Sequence, residues 1–161
     1  MSYWNLSEAE QKHLENIGVD YDLRACLECN PQGYDVTDIK NVHAVWQGEN
    51  DGDDWRWVFR LKDKRYVFLQ GGCDYTGWDC QSWATSQFAK TARQAAKFTL
   101  GDFALKENES PANAGLGHML SVFSGTYGNN FLEVYQSLVE QIKNKKSQTW
   151  REQKDKEFGL S

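Results

Sequence analysis

Trp55-Arg56-Trp57-Val58-Phe59-Arg60-Leu61, followed after Lys62-Asp63-Lys64-Arg65 by Tyr66-Val67-Phe68-Leu69-Gln70, is the stretch that decides the fold. Trp55, Trp57, Phe59 and Leu61 alternate with Arg56, Val58, Arg60 and Lys62, the period of two of a strand with one face on a core. Tyr66, Phe68 and Gln70 alternate with Val67 and Leu69 in the same way. A two-residue turn at Asp63-Lys64 would set Leu61 against Tyr66, Phe59 against Phe68, Trp57 against Gln70 and Trp55 against Gly72. That register gives Leu61 and Phe59 aromatic partners and Trp55 room over a glycine, but leaves Trp57 opposite Gln70 unexplained. Val42, Ala44 and Trp46 predict a preceding strand, joined through the turn formers Gly48-Glu49-Asn50-Asp51-Gly52-Asp53.

On the N-terminal side, Ser7-Glu8-Ala9-Glu10 has the form of a capping box and opens a helix from about Glu8 to Ile17, stopped by Gly18. Leu23 and Leu27 give a second short helix over Asp20 to Cys29, ended by Asn30-Pro31. On the C-terminal side, Gly71 to Cys80 holds three glycines and no sustained period, and reads as an ordered loop. Phe88, Ala92, Ala95, Ala96 and Thr99 recur at helical spacing and predict a helix from about Thr91 to Leu100, with Gly101 as its stop. Residues 101 to 128, with five glycines, read mostly as loop with a helical turn near Met119 to Phe123. Asn130 and Glu133 resemble a cap for a final helix with Phe131, Tyr135, Leu138 and Ile142 on one face. Its apolar stripe lapses beyond Ile142, so the part after residue 143 projects, frays or meets a partner. The whole reads as one α+β domain over residues 1–161: an antiparallel β-meander of at least three strands, packed on one face by the N-terminal, central and C-terminal helices.

The 161 residues fall within the ordinary range of a single domain, and 14% aromatic content excludes a disordered chain. The first residues lack a basic start and an apolar core segment, and no apolar run approaches the ~18 residues of a spanning helix, so a cytoplasmic protein with no membrane contact is expected. Net charge is −5, which argues against a general nucleic-acid surface. The charge is uneven: residues 1–60 carry 12 acids and 5 bases, residues 61–161 carry 11 acids and 13 bases. An acidic N-terminal part steers toward a basic protein partner.

Three groups of residues bear on chemistry. Cys26-Leu27-Glu28-Cys29 with Cys73 and Cys80 has the makings of a four-thiolate structural zinc site, although the second pair is spaced more widely than usual. Buried free thiols are the plainer reading, with no cofactor. A disulfide framework and a thioredoxin-type site fit less well. Asp74, Tyr75, Trp78 and Asp79 put two carboxylates, a phenol and an indole on one glycine-rich loop, the composition of a recognition loop. The bland alternative turns Tyr75 and Trp78 inward over the sheet end while the acids cap amides. Asp51, Asp53 and Asp54 fail the calcium-loop pattern and read as a solvated hairpin tip. No dinucleotide, Walker, HExxH or GxSxG motif occurs. His13, His43 and His118 are scattered, and enzyme chemistry would need Cys73 or Cys80 beside His43 or His118.

The stretch VWQGENDGDDWRWVFRLKDKRYVFLQGGCDYTGWDCQ, residues 45–81, resembles a block found in small uncharacterised proteins of bacteria and their phages, most specifically in GGCDYTGWDC. The resemblance implies a shared sheet and loop and no particular activity. It implies a mobile-element accessory role, such as inhibition of a host defence protein. The expectation is therefore a non-catalytic protein-binding domain whose site draws on Asp74, Tyr75, Trp78, Asp79, Asp51 and Asp53. The rivals are a domain built on zinc at Cys26, Cys29, Cys73 and Cys80, and a cysteine-dependent enzyme.

Overall fold

The two helices that precede the sheet form where their caps place them. In the computed structural model, which describes residues 5–79, 81–104, 121–122, 131, 133–138, 140–141, 144–145 and 151–152, helix α1 spans Glu8–Asn16. The Ser7 hydroxyl accepts from the Glu10 amide at 3.1 Å, and the Glu10 carboxylate accepts from the Ser7 amide at 3.3 Å. Gly18, at φ +96°, turns the chain out of the last turn, a conformation costly for any residue with a Cβ. Helix α2 spans Tyr21–Cys29, with the Asp20 carboxylate accepting from the Leu23 amide at 2.7 Å.

A turn of 3-10 helix, Val36–Asp38, then leads into strand β1, Ile39–Trp46. Strands β2, Trp55–Leu61, β3, Tyr66–Gly72, and β4, Trp83–Ala89, continue an antiparallel meander. Helix α3, Ala92–Ala104, follows, and Ser121–Val122 forms a short strand β5 beside β1. The sheet order is β4-β3-β2-β1-β5. The α+β class and the antiparallel meander are as the sequence predicts.

The hairpin register differs by one residue from the two-residue turn expectation. Phe59 pairs with Val67, Trp57 with Leu69 and Trp55 with Gly71. The turn holds three residues: the Leu61 amide bonds the Arg65 carbonyl at 2.8 Å, the Lys64 amide bonds the Leu61 carbonyl at 3.0 Å, and Lys64 takes φ +76°. This is a type I turn closed by a left-handed residue, the usual three-residue hairpin. Because the side-chain period is two, one residue of slip reassigns every partner. Trp57 now meets Leu69 instead of Gln70, which removes the anomaly of the two-residue turn.

Strand β1 also departs from simple alternation. Its pairing with β2 skips at Lys40 and again at His43, so Ile39, Val42 and Val45, three apart, face the same side as Leu61, Phe59 and Trp57. Each skip is a bulge that turns the following side chains to the other face. Val42 therefore lies on one face and Ala44 and Trp46 on the other, where a strict alternation would have put all three together.

Helices cover both faces of the sheet, where one covered face was expected. Residues of α1 and α2 with Ile39, Val42, Trp55, Trp57, Phe59, Leu61, Val67 and Leu69 form one core. Ala44, Trp46, Val58, Tyr66 and Phe68 form the second, with Ala92, Ala95, Ala96 and Leu100 of α3 and with Phe131, Tyr135 and Leu138 of the C-terminal helical segment. The reason lies in β3, whose Tyr66-Val67-Phe68-Leu69 is apolar on both sides and cannot leave either to water. Other boundaries shift too. Phe88 belongs to β4 and not to a helix, α3 runs through Gly101 to Ala104, and Ser121–Val122 is extended where a helical turn was expected. Asn130, Ile142 and residue 143 onward, apart from 144–145 and 151–152, lie outside the described residues.

Candidate functional site

In a meander the β1–β2 and β3–β4 connections must emerge at the same end of the sheet. Here they are tied together as well. The Asp51 amide donates to the Cys73 carbonyl at 2.9 Å, and the Cys73 thiol donates to the Asn50 side-chain oxygen at 3.0 Å. The acidic hairpin tip and the glycine-rich loop, 20 or more residues apart in sequence, are thus one surface. Residues 47–54 and 73–82 contain six acids and no base, while the rest of the chain, with 17 acids and 18 bases, carries a net charge of +1. The whole negative charge of the protein is accounted for at this end.

The first connection is tightly wound. The Glu49 amide bonds the Asp53 carbonyl at 2.8 Å, and Asp51 sits at φ +54°. A Cβ on Gly48 would lie 2.4 Å from the Asp53 carbonyl oxygen, so only glycine fits there. Asp51 and Asp53 are exposed. Asp54 is half-buried, and loss of water around its carboxyl raises its pKa against the opposing pull of Arg56.

The second connection has a built tip. Asp74 to Gly77 is a β-turn in which the Gly77 amide bonds the Asp74 carbonyl at 3.0 Å and Gly77 takes φ +96°. The Asp74 carboxylate accepts from the Thr76 amide at 2.9 Å and from the Thr76 hydroxyl, the side-chain geometry that makes Asp a good first turn residue. Tyr75, at the crest, is 77% exposed.

Trp78 does the opposite. It is buried, its ring centroid 5.0 Å from that of Trp55 and 6.3 Å from that of Trp57, and its indole N–H donates to the Asp22 carboxylate at 3.1 Å. Ser82 donates to the Trp78 carbonyl at 3.0 Å and accepts from the Asn30 side-chain nitrogen at 3.1 Å, adding a second link to the end of α2. The structure thus divides the predicted recognition residues. Asp51, Asp53, Tyr75 and Asp79 are exposed and Asp74 half-exposed, while Trp78 anchors the loop from within. Trp83, 44% exposed at the start of β4, was not singled out in the sequence, and adjoins this surface: its indole nitrogen lies 2.6 Å, and the Asp54 carboxylate 3.1 Å, from where a Gly72 Cβ would stand.

The thiols lie beneath. The Cys26 sulfur packs over Gly71, 2.8 Å from where a Cβ would stand, and Cys26, Cys29 and Cys73 are free. Burial, reinforced by Cys29 and Cys73, pushes the Cys26 thiol up to about 12. Burial with Asp79 and Glu28 raises Cys29, and burial with Asp22 and Asp74 raises Cys73. These shifts oppose thiolate formation. Among the described residues no three His, Cys, Asp or Glu side chains stand close enough to hold a metal ion, and Cys80 lies outside those residues.

His43 is not brought to Cys73. It is buried on the other face of the sheet, 5.5 Å from the Tyr66 ring and 6.0 Å from the Phe131 ring, with Nε2 3.0 Å from the Asn41 side-chain nitrogen. Burial and the nearby Arg60 cation lower its pKa to about 4. His118 lies outside the described residues. Among the described residues no helix is long and apolar enough to cross a membrane. No family model, curated protein or solved structure matches this chain.

Proposed function

We propose that the acidic end of the sheet is a protein-docking surface and that the protein acts by non-catalytic capture of a partner with a basic face. The observation that carries this reading is the backbone bond between Asp51 and Cys73, which makes one surface of two loops holding six acids, no base and the displayed Tyr75. Tyrosine at a rigid crest contributes apolar area at small entropic cost, and a single-sign field raises association rate with an oppositely charged partner. Because Asp74, Gly77 and Trp78 hold the loop in shape, little ordering is left to be done on binding. The resemblance of residues 45–81 to proteins of bacteria and their phages suggests a host defence protein as the partner.

The test is affinity capture from a bacterial host lysate with the wild type and with an Asp51→Asn, Asp53→Asn, Tyr75→Ala variant of unchanged melting temperature. A partner held by the wild type, released by salt and lost by the variant supports the reading. Retention of the same partner by the variant overturns it.

A structural zinc at Cys26, Cys29, Cys73 and Cys80 ranks second. It draws on the influence of Cys29 and Cys73 on the Cys26 thiol, but the described thiols do not by themselves form a metal-holding group. Native mass measurement decides it: an excess of one zinc lost to a chelator establishes the site, and free thiols with no excess remove it.

A further inference from the structure

The two edges of the sheet are treated differently. Strand β5 on one edge is two residues long, whereas β4 on the other is seven, paired to β3 without a skip from Gly72–Trp83 to Tyr66–Ala89. Edge strands are commonly protected from pairing by charge, proline or a bulge. Trp83-Ala84-Thr85-Ser86-Gln87-Phe88-Ala89 has none of these. Trp83 and Phe88 near its ends are 44% and 40% exposed. Among the described residues no strand lies on its outer side. The loop after α2 reaches it: Gln32 donates to the Ala84 carbonyl at 3.3 Å, and Gln32 and Tyr34 bond the Ser86 hydroxyl, but a carbonyl has a second lone pair for a strand and the Ser86 contacts are to its side chain.

The charges flanking β4 specify what would pair there. Its N-terminal end adjoins Asp54 and exposed Asp79. Its C-terminal end runs into exposed Lys90 and Arg93, and lies beside the Lys62-Asp63-Lys64-Arg65 turn, whose Arg65 guanidinium sits 4.6 Å from the Phe88 ring centre. A strand with an acidic head and a basic tail complements a copy of itself only when the two run antiparallel. We infer that β4 pairs with β4 of a second copy of this chain about a two-fold axis at Ser86, the middle residue, joining two sheets into one. Thr85 of each copy then lies opposite Gln87 of the other, and the acidic end of each sheet lies against the basic end of its neighbour.

The test uses the full chain, without any partner, in sedimentation equilibrium at rising concentration and at two ionic strengths. A dimer whose dissociation constant rises with salt is expected. Replacing Thr85→Lys and Gln87→Lys together sets like charges opposite each other twice across the axis and is expected to weaken the dimer about tenfold or more. Both side chains are exposed, so the monomer should keep its circular dichroism spectrum. Reversing the basic tail with Lys90→Glu and Arg93→Glu should weaken it likewise. A wild type that stays monomeric throughout, or a dimer indifferent to both pairs of substitutions, overturns the inference.

Discussion

Gly71→Ala probes the place where α2 and the glycine-rich loop clamp the sheet. An added Cβ would stand 2.8 Å from the Cys26 sulfur, 3.2 Å from the Trp83 carbonyl oxygen and 3.3 Å from Trp78 Cη2. None of these can retreat freely: Cys26 is fully buried on α2, the Trp83 carbonyl belongs to a paired strand, and Trp78 packs at a tilt against Trp55. Overpacking of this kind costs about 1–3 kcal/mol, and alanine returns about 0.4–1 kcal/mol by restricting the unfolded chain. With three close contacts the cost sits at mid-range or above, and the net destabilisation is about 1–2 kcal/mol. For a chain of this length the unfolding entropy makes 1 kcal/mol worth about 3 °C, so Tm falls by about 3–6 °C. Cys26→Ala alone leaves a small void. Combined with Gly71→Ala it lets the new methyl occupy the vacated space, and the double variant should be more stable than additivity predicts by about 1 kcal/mol. Thermal and urea unfolding of the four proteins reads the cycle. A Gly71→Ala protein as stable as the wild type, or strictly additive effects, would refute the packing argument.

Acid should destabilise the protein through His43. Its folded pKa of about 4 lies below the unfolded 6.5, so as pH falls from about 6.5 to 4 the unfolded state takes up the proton first and up to about 3 kcal/mol is lost; urea unfolding of His43→Gln across this range should show a flatter profile, and a wild type already flat would contradict the assignment. Breaking the anchor with Trp78→Phe should cost about 2 kcal/mol for the lost bond to the Asp22 carboxylate and speed proteolysis within residues 73–82, with Asp22→Ala non-additive to it. Among Cys26, Cys29 and Cys73, only exposed Cys29 should alkylate in the native protein, and more slowly than a free thiol, as mass mapping would show.

The parts legible in the sequence are those governed by local rules. The Ser7/Glu10 box, the Gly18 stop and the Asp20–Cys29 helix need only nearest neighbours, and the alternation of β2 and β3 needs only the pleat. The register was not local. Lys64 gives no sequence sign of its left-handed backbone, so a three-residue turn passed for a two-residue one, and the Trp57–Gln70 mismatch was the trace it left. Strand β4 escaped because Ala84, Thr85, Ser86 and Gln87 carry no apolar alternation; its place is fixed by pairing with β3 and by Gln32 and Tyr34, which bond Ser86 from the loop after α2. The second covered face could have been inferred from Tyr66-Val67-Phe68-Leu69. For the candidate site, composition pointed to both acidic loops and to Asp74, Tyr75, Trp78 and Asp79 as candidates, but the union of the loops depends on a bond between residues 51 and 73 that no spacing encodes. Burial then separated Trp78 from Tyr75, which composition treats alike.

The most direct test of the proposed docking surface is a residue-resolved titration of the isotopically labelled protein with a short lysine- and arginine-rich peptide, following backbone amide resonances at low ionic strength. Shifts are expected to concentrate at residues 49–53 and 74–79, saturate together, and vanish at high salt or in the Asp51→Asn, Asp53→Asn, Tyr75→Ala variant. Shifts in only one of the two loops, or spread evenly over the exposed acids of α1, would contradict it.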